Sequence, residues 1–289
     1  MLTLLAMQRQ NWEQGVAVHA LLDLGLAGLA GRLARDSAVH QSPDGRLGTI
    51  GGERGSVDGA ANFEGVVRLG LTDAARRQLD WITERAPRAA DGTLYHVLDA
   101  PEVWADTVYM VVPMLAFAGR PELAVQQAEG HRQRLCRDGL YAAADNRPQL
   151  WGTASGWVAA GLARAIRHDP DLAGPLGGHA REVIDACLAY RRTDGLFGDV
   201  LDDPESFREA NLAQMLAYAA YTGVVYGWLE PSYTAVADSL RAAVEPHVHD
   251  GLVTSVCGAP TFDRQGTSAE AQAFHLLAAA AALAASGGR

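Results

Sequence analysis

Apolar residues recur at three- and four-residue spacing along most of the chain, and alternating β-branched runs are scarce. That pattern predicts helices. They are expected at about 3–24, 28–41, 58–70, 73–86, 104–118, 121–136, 154–168, 176–192, 206–228, 232–246 and 267–285. Gly119 closes one helix and Pro121 opens the next, while Pro231 and Pro246 bracket another, in keeping with the places these residues take at helix ends. Two kinds of helix alternate. Residues 108–118, 158–166 and 212–225 are rich in small residues and apolar nearly all round, whereas 74–85 and 123–134 carry more Arg, Glu and Gln. Helices that are apolar on every side belong in an interior. The alternation therefore predicts inner and outer helices of a closed α/α toroid.

A repeat supports the closure. Five times an Asp-Gly pair is followed by Leu, at Asp44-Gly45, Asp91-Gly92, Asp138-Gly139, Asp194-Gly195 and Asp250-Gly251, with gaps of 47, 47, 56 and 56 residues. Asp-Gly is a turn signal, since Gly supplies positive φ and Asp bonds its own backbone. A period near fifty marks repeated supersecondary units. The expected fold is all-α, an (α/α)6 barrel of six helix pairs. Eleven helices fall one short of twelve, so the last outer helix is missing or replaced. The unbroken repeat argues for one domain, residues 1–289.

The repeat gives each residue a phase. Asp58 follows its turn Asp by 14 residues, Asp106 by 15, Trp151 by 13, Glu209 by 15 and Arg264 by 14. All lie at or just before an inner helix, so in a toroid they share one rim, with Arg9, Gln10, Trp12 and Glu13 of the first helix beside them. Polar and aromatic residues at one phase, next to apolar helix bodies, predict a pocket. Asp at a helix start is also a common N-cap, and for Asp58 that alternative is strong. Asp106 stands among apolar and aromatic neighbours, where desolvation raises a carboxyl pKa and suits a proton donor. Trp151 and Trp157 are either core or a platform for a sugar face. His96 lies on the loop leading to Asp106, placed to orient a substrate.

Composition narrows the partners. The net charge is −10 and, with no Lys, all 24 basic residues are Arg, which disfavours nucleic acid and anionic membranes. Three widely spaced Cys suggest free thiols in a reducing compartment. Neither a signal peptide nor a membrane-spanning run is recognised, so a cytoplasmic monomer or homodimer is expected. His247 and His249 lack a partner at ligand spacing, so no metal is expected. The glycine-rich loop 48–55 matches no P-loop pattern and reads as a plain loop.

The stretches 91–96 (DGTLYH), 104–113 (WADTVYMVVP), 151–163 (WGTASGWVAAGLA), 195–204 (GLFGDVLDDP) and 206–218 resemble the unsaturated glucuronyl and rhamnogalacturonyl hydrolases, glycoside hydrolase families 88 and 105. The resemblance runs from about Trp12 to Leu277. It implies the (α/α)6 barrel, no cofactor, and a small unsaturated oligosaccharide as substrate, from which a 4,5-unsaturated uronic acid is released by hydration of its double bond. It further implies that Asp106 is the acid/base and Asp58 a second catalytic aspartate, with His96, Trp151 and Trp157 lining the pocket. Trp12, Glu209 and Arg264 are the remaining substrate-binding candidates. Two departures stand out: Thr153-Ala154-Ser155 replaces the family's usual Arg-Gly-Asn, and Ala210–Met215 replaces its Thr-Ser-Gly-Thr-Ala-Met. The missing arginine leaves recognition of the uronate carboxylate to another residue, with Arg264, Arg208 and Arg9 as candidates. Alternatives from sequence are another toroid enzyme, an epimerase or an inverting hydrolase pairing Asp106 with Glu209, and an inactive sugar-binding protein.

Overall fold

The computed structural model of the protein describes residues 1–49 and 54–287. Its joints are the Asp-Gly pairs. Gly45, Gly92, Gly139, Gly195 and Gly251 all hold positive φ, between 76° and 105°, where a Cβ would be strained. In three of them the aspartate closes the turn. Asp44, Asp91 and Asp194 each accept the backbone N–H two residues on, at 3.1, 3.0 and 3.0 Å. At the other two, Asp138 and Asp250 also take positive φ, 51° and 52°, and the pair is the two-residue turn of a hairpin. Positive φ at both central positions matches the twist of the flanking strands. Leu47, Leu94, Leu140 and Leu196, just past their turns, are buried.

Between the joints lie helices α1 (Leu2–Met7), α2 (Asn11–Asp23), α3 (Ala27–Val39), α4 (Phe63–Arg68), α5 (Thr72–Asp80), α6 (Thr107–Phe117), α7 (Pro121–Leu135), α8 (Gly152–His168), α9 (Ala173–Leu188), α10 (Asn211–Val225), α11 (Tyr233–Val244) and α12 (Ala269–Gly287). In order, α2, α4 with the 3₁₀ turn Asp58–Asn62 before it, α6, α8, α10 and α12 pack each on the next, and α12 returns to α2. The ring is closed. Helices α3, α5, α7, α9 and α11 pack outside their partners, and short α1 lies against α12. Among the described residues no outer helix follows α12. The inner helices are the apolar ones: α6 is buried from Thr107 to Ala116, and α8 from Gly152 to Ile166. Small residues let them touch. A Cβ on Gly161 of α8 would stand 2.8 Å from the Cα of Tyr109 on α6, inside van der Waals contact.

Several boundaries differ from the sequence reading. The helix expected over 3–24 breaks at residues 8–10, where the Glu13 carboxylate accepts the N–H groups of Arg9 (2.6 Å) and Gln10 (2.9 Å) and starts α2 with a capping box. The helix expected from 58 opens as a 3₁₀ turn. Residues 208–209, read as helix, pair as a strand with 197–198, so α10 begins at Asn211. Trp104 is bridged to Ala144, which delays α6 to Thr107. Apolar spacing does not distinguish a two-residue hairpin strand from a helix start. Of the glycine-rich loop, residues 50–53, including Gly51-Gly52, lie outside the described residues. No helix among those described is long and apolar enough to cross a membrane.

The far ends of the inner helices meet on charge. Arg164 of α8 is fully buried, and its guanidinium donates to Glu64 of α4 (2.6 Å), Asp23 of α2 (3.2 Å) and the Tyr218 hydroxyl of α10 (3.3 Å). Glu64 is also reached by Arg68 (2.8 Å) and His168 (3.2 Å). Burial alone would raise the Glu64 carboxyl, but Arg164 and the two nearby histidines hold it well below the usual range. Arg164→Met leaves Asp23 and Glu64 buried without their shared partner and is expected to destabilise the protein by about 3–5 kcal/mol, read from the urea midpoint. Because the Glu64 carboxyl is depressed in the folded state, its contribution exists above about pH 4.5 and is lost as the pH falls further. The gap between the two proteins should therefore narrow in acid; a gap that stays constant would remove Glu64 from the account.

Candidate active site

At the opposite end, the starts of the inner helices surround a cavity of about 500 Å³. Trp12 enters from the first turn of α2, Asp58 from the 3₁₀ turn, Asp106 from just before α6, Trp151 from just before α8 and Glu270 from the first turn of α12. His96 and Trp157 also line it. Six sequence candidates, Asp58, Asp106, His96, Trp151, Trp157 and Trp12, thus line one cavity.

The other two do not. Glu209 is fully buried, and its carboxylate accepts the N–H groups of Leu212 (2.7 Å) and Cys257 (3.3 Å). It caps α10 and ties it to the neighbouring hairpin, a structural use of both oxygens. Arg264 is exposed on the hairpin formed by 256–257 and 265–266 and is not part of the cavity lining. Arg208 is paired with Asp194, and Arg9 donates to the carbonyls of Ala6 and Gln8. Neither reaches the lining.

Asp106 is the N-cap residue of α6 yet makes no side-chain capping bond. Its Oδ1 is buried without a hydrogen-bond partner. Desolvation pushes its carboxyl up to about 7, against a lowering influence from Arg147. A group with that pKa both holds and releases a proton near neutrality. Asp58 faces His96, with Oδ1 3.3 Å from Nε2, and His96 Nδ1 lies 2.9 Å from the Thr107 hydroxyl. Burial lowers the His96 pKa to about 3, so the ring is neutral. The network then assigns an Nε2–H that donates to Asp58 and an Nδ1 that accepts from Thr107. Behind Asp58, a Cβ on Gly55 would collide with its carboxylate.

Aromatic rings furnish the walls. Trp104 stacks on His96 at 4.4 Å and 5° and donates its indole N–H to Glu102 at 2.8 Å. Trp157 packs edge-on against Trp12 (6.4 Å) and Tyr109 (4.9 Å). The Trp151 indole donates to Asp199 at 2.9 Å, which fixes its ring. Asp199, Glu270, Arg147 and Phe262 line the cavity and were not singled out from sequence. Glu270 stands 20 residues past its turn Asp, outside the 13–15 phase used to choose candidates. Burial raises its carboxyl to about 8, and its Oε2 has no partner. Among the described residues no group of three or more His, Cys, Asp or Glu is placed to hold a metal ion.

Residues 68–282 match the sequence profile of Glycosyl Hydrolase Family 88. The chain belongs to that family. A curated relative is the unsaturated rhamnogalacturonyl hydrolase YesR of Bacillus subtilis (strain 168), 28% identical over 211 residues, which cover 64% of this chain. The matched stretch spans 59% of that relative's length. Among solved structures, a possible member of family GH105 from Klebsiella pneumoniae superposes with a TM-score of 0.78 at 18% identity, covering 94% of this chain and 82% of that one. The unsaturated glucuronyl hydrolase of Bacillus sp. GL1, responsible for glycosaminoglycan degradation, gives 0.66 at 14% identity, covering 92% and 83%. At those identities the two structures share the α/α-toroid fold with the family 88 chain.

A folded-state pKa near 7 makes Asp106 a source of pH-dependent stability. The group is stabilising when protonated below its unfolded pKa near 3.8, and the contribution is lost as the pH rises toward 7. Asp106→Asn carries no such loss. Its unfolding free energy relative to the unmodified protein, read from urea midpoints, should climb from pH 4 to pH 7, at a rate on the order of 1.4 kcal/mol per pH unit, and then level off. A difference independent of pH would mean that the carboxyl is not raised.

Proposed function

We propose that this family 88 protein hydrates the double bond of a 4,5-unsaturated uronic acid at the non-reducing end of an oligosaccharide and thereby releases it. What carries the reading is Asp106, a carboxyl poised near neutrality with one buried, unpartnered oxygen, in the same cavity as a second aspartate held by a neutral histidine. Asp106 gives its proton to C4 of the enol ether. The positive charge that develops at C5 and the ring oxygen is captured by water, whose proton returns to Asp106. Asp58, held by His96, orients the substrate and that water. The product is a hemiketal at C5, which opens to a ketone and frees the former glycosidic carbon to expel the shortened sugar. Trp157, Trp12 and Trp151 offer apolar faces for the sugar rings. Conventional inversion with Asp106 and Glu209 as acid and base is disfavoured, because Glu209 lies outside the cavity with both oxygens committed.

The test is loss of ultraviolet absorbance from unsaturated uronic disaccharides prepared by lyase digestion of pectin, glycosaminoglycan and xanthan-type polymers. Turnover should be seen with at least one, and Asp106→Asn should reduce kcat by about 10²–10⁴-fold. Activity should require the protonated carboxyl and fall above about pH 7. Absorbance stable across the panel with folded protein would defeat the proposal.

Gly55→Ala offers a separate check on Asp58. The new methyl displaces the Asp58 carboxylate, and a shift of an ångström is expected to cost about 10²-fold in turnover while the melting temperature changes little. Unchanged turnover would show that the position of Asp58 is immaterial.

A further inference from the structure

The arginine that the family resemblance places between Trp151-Gly152 and Gly156-Trp157 is Thr153 here, a buried residue whose hydroxyl has no partner. A uronate carboxylate therefore needs another cation. Two arginines line the cavity, Arg54 and Arg147. Arg54 is already engaged by Asp99 through two parallel contacts, Nε to Oδ2 at 2.9 Å and Nη2 to Oδ1 at 2.7 Å. Arg147 has no carboxylate within ion-pair distance among the described residues, and its guanidinium carbon stands 4.2 Å over the Trp104 ring. Backbone bonds exchanged between Arg147 and Ala144 fix its tight turn (3.0 and 3.3 Å), and Ala144 is bridged to Trp104. The ring covers one side of the guanidinium, and among the described residues the guanidinium N–H groups make no hydrogen bond, so they can take a carboxylate with two parallel bonds.

We infer that Arg147 recognises the carboxylate of the uronide substrate, replacing an arginine lost from the start of α8 with one mounted on Trp104. The inference rests on the proposed uronide specificity. It supplies a reason for the order Arg147, Trp104, His96, Asp58, in which each group touches the next: the carboxylate anchor and the second aspartate are held at the two ends of one stack. It also brings the carboxylate to the side of the cavity where the charge of Arg147 is felt by Asp106, as the chemistry requires, because C5 bears the carboxylate and C4 takes the proton.

The experiment compares Arg147→Met and Arg147→Lys with the unmodified protein on an unsaturated uronyl disaccharide and on its C6 methyl ester. Arg147→Met should raise KM for the acid by about tenfold or more, the value of a charge-assisted bidentate pair, and should change KM for the neutral ester far less. Arg147→Lys should recover part of the loss on the acid. Equal losses on acid and ester, or no loss on the acid, would overturn the assignment. A calorimetric titration with glucuronate and its methyl ester separates this outcome from failure of the proposed reaction. Should the protein hydrate nothing, binding of glucuronate that Arg147→Met abolishes would still support the anchor. Binding indifferent to Arg147, or no glucuronate binding at all, would reject it.

Discussion

One buried guanidinium sets the geometry on which the rest depends. Arg164 of α8 reaches Asp23 of α2, Glu64 of α4 and Tyr218 of α10, so a single side chain ties four of the six inner segments. Burying these charges costs desolvation that only close, multiple bonding offsets, and a sliding helix would lose that compensation at once. Arg167 and His168 add to it from the last turn of α8, where the carbonyl ends of a helix favour cations. Consecutive helices reverse direction, so the inner ones run parallel. Locking their C-terminal ends at the base sets the height of their N-terminal ends at the mouth, where Trp12, Asp58, Asp106, Trp151 and Glu270 stand.

The mouth has a different electrostatic character. Among the described residues four acids line it, Asp58, Asp106, Asp199 and Glu270, in a chain of net charge −10. Fully ionised, they would repel an anionic sugar. Burial raises three of them: Asp106 to about 7, Glu270 to about 8, and Asp199 to a lesser degree. Near neutrality Asp106 and Glu270 thus hold a proton for much of the time, and each carboxyl, when protonated, is a hydrogen-bond donor. The apolar inner helices produce this state by the same packing that forms the core. The ion cluster at the base and the raised carboxyls at the mouth are two results of one arrangement.

Much of this was legible in the sequence, for identifiable reasons. The Asp-Gly joints were readable because positive φ and a self-closing aspartate demand those two residues. The inner helices were readable because a helix buried on all sides has no polar stripe. Phase along the repeat leads to Asp58 and Asp106, which line the cavity. It leads equally to Glu209 and Arg264, which do not, because phase fixes depth along the barrel but not which way a side chain turns. Both residues belong to two-residue strands or their hairpin, which the helical pattern conceals. Arg147 and Asp199 were missed for a related reason: each enters from a loop whose path is set by bridges to distant residues, Ala144 with Trp104 and Trp151 with Val200. The Arg164 cluster joins residues about 100 and 141 apart, and nothing in the spacing announces it.

Opposing influences meet at Asp106, and their balance bears on how the site distinguishes its ligand. Burial favours the protonated carboxyl, while the positive charge of Arg147 favours the ionised one. A carboxylate bound at Arg147 cancels the second influence and leaves the first. Asp106 would then hold its proton more firmly when an anionic sugar is in place than when a neutral one is, so the acid is armed by the feature that marks the correct substrate. A neutral sugar of the same shape gains the aromatic contacts but leaves Arg147 uncompensated and Asp106 more readily ionised. In the proposed reaction, recognition and proton donation would be coupled through a single charge, with no movement of the backbone required.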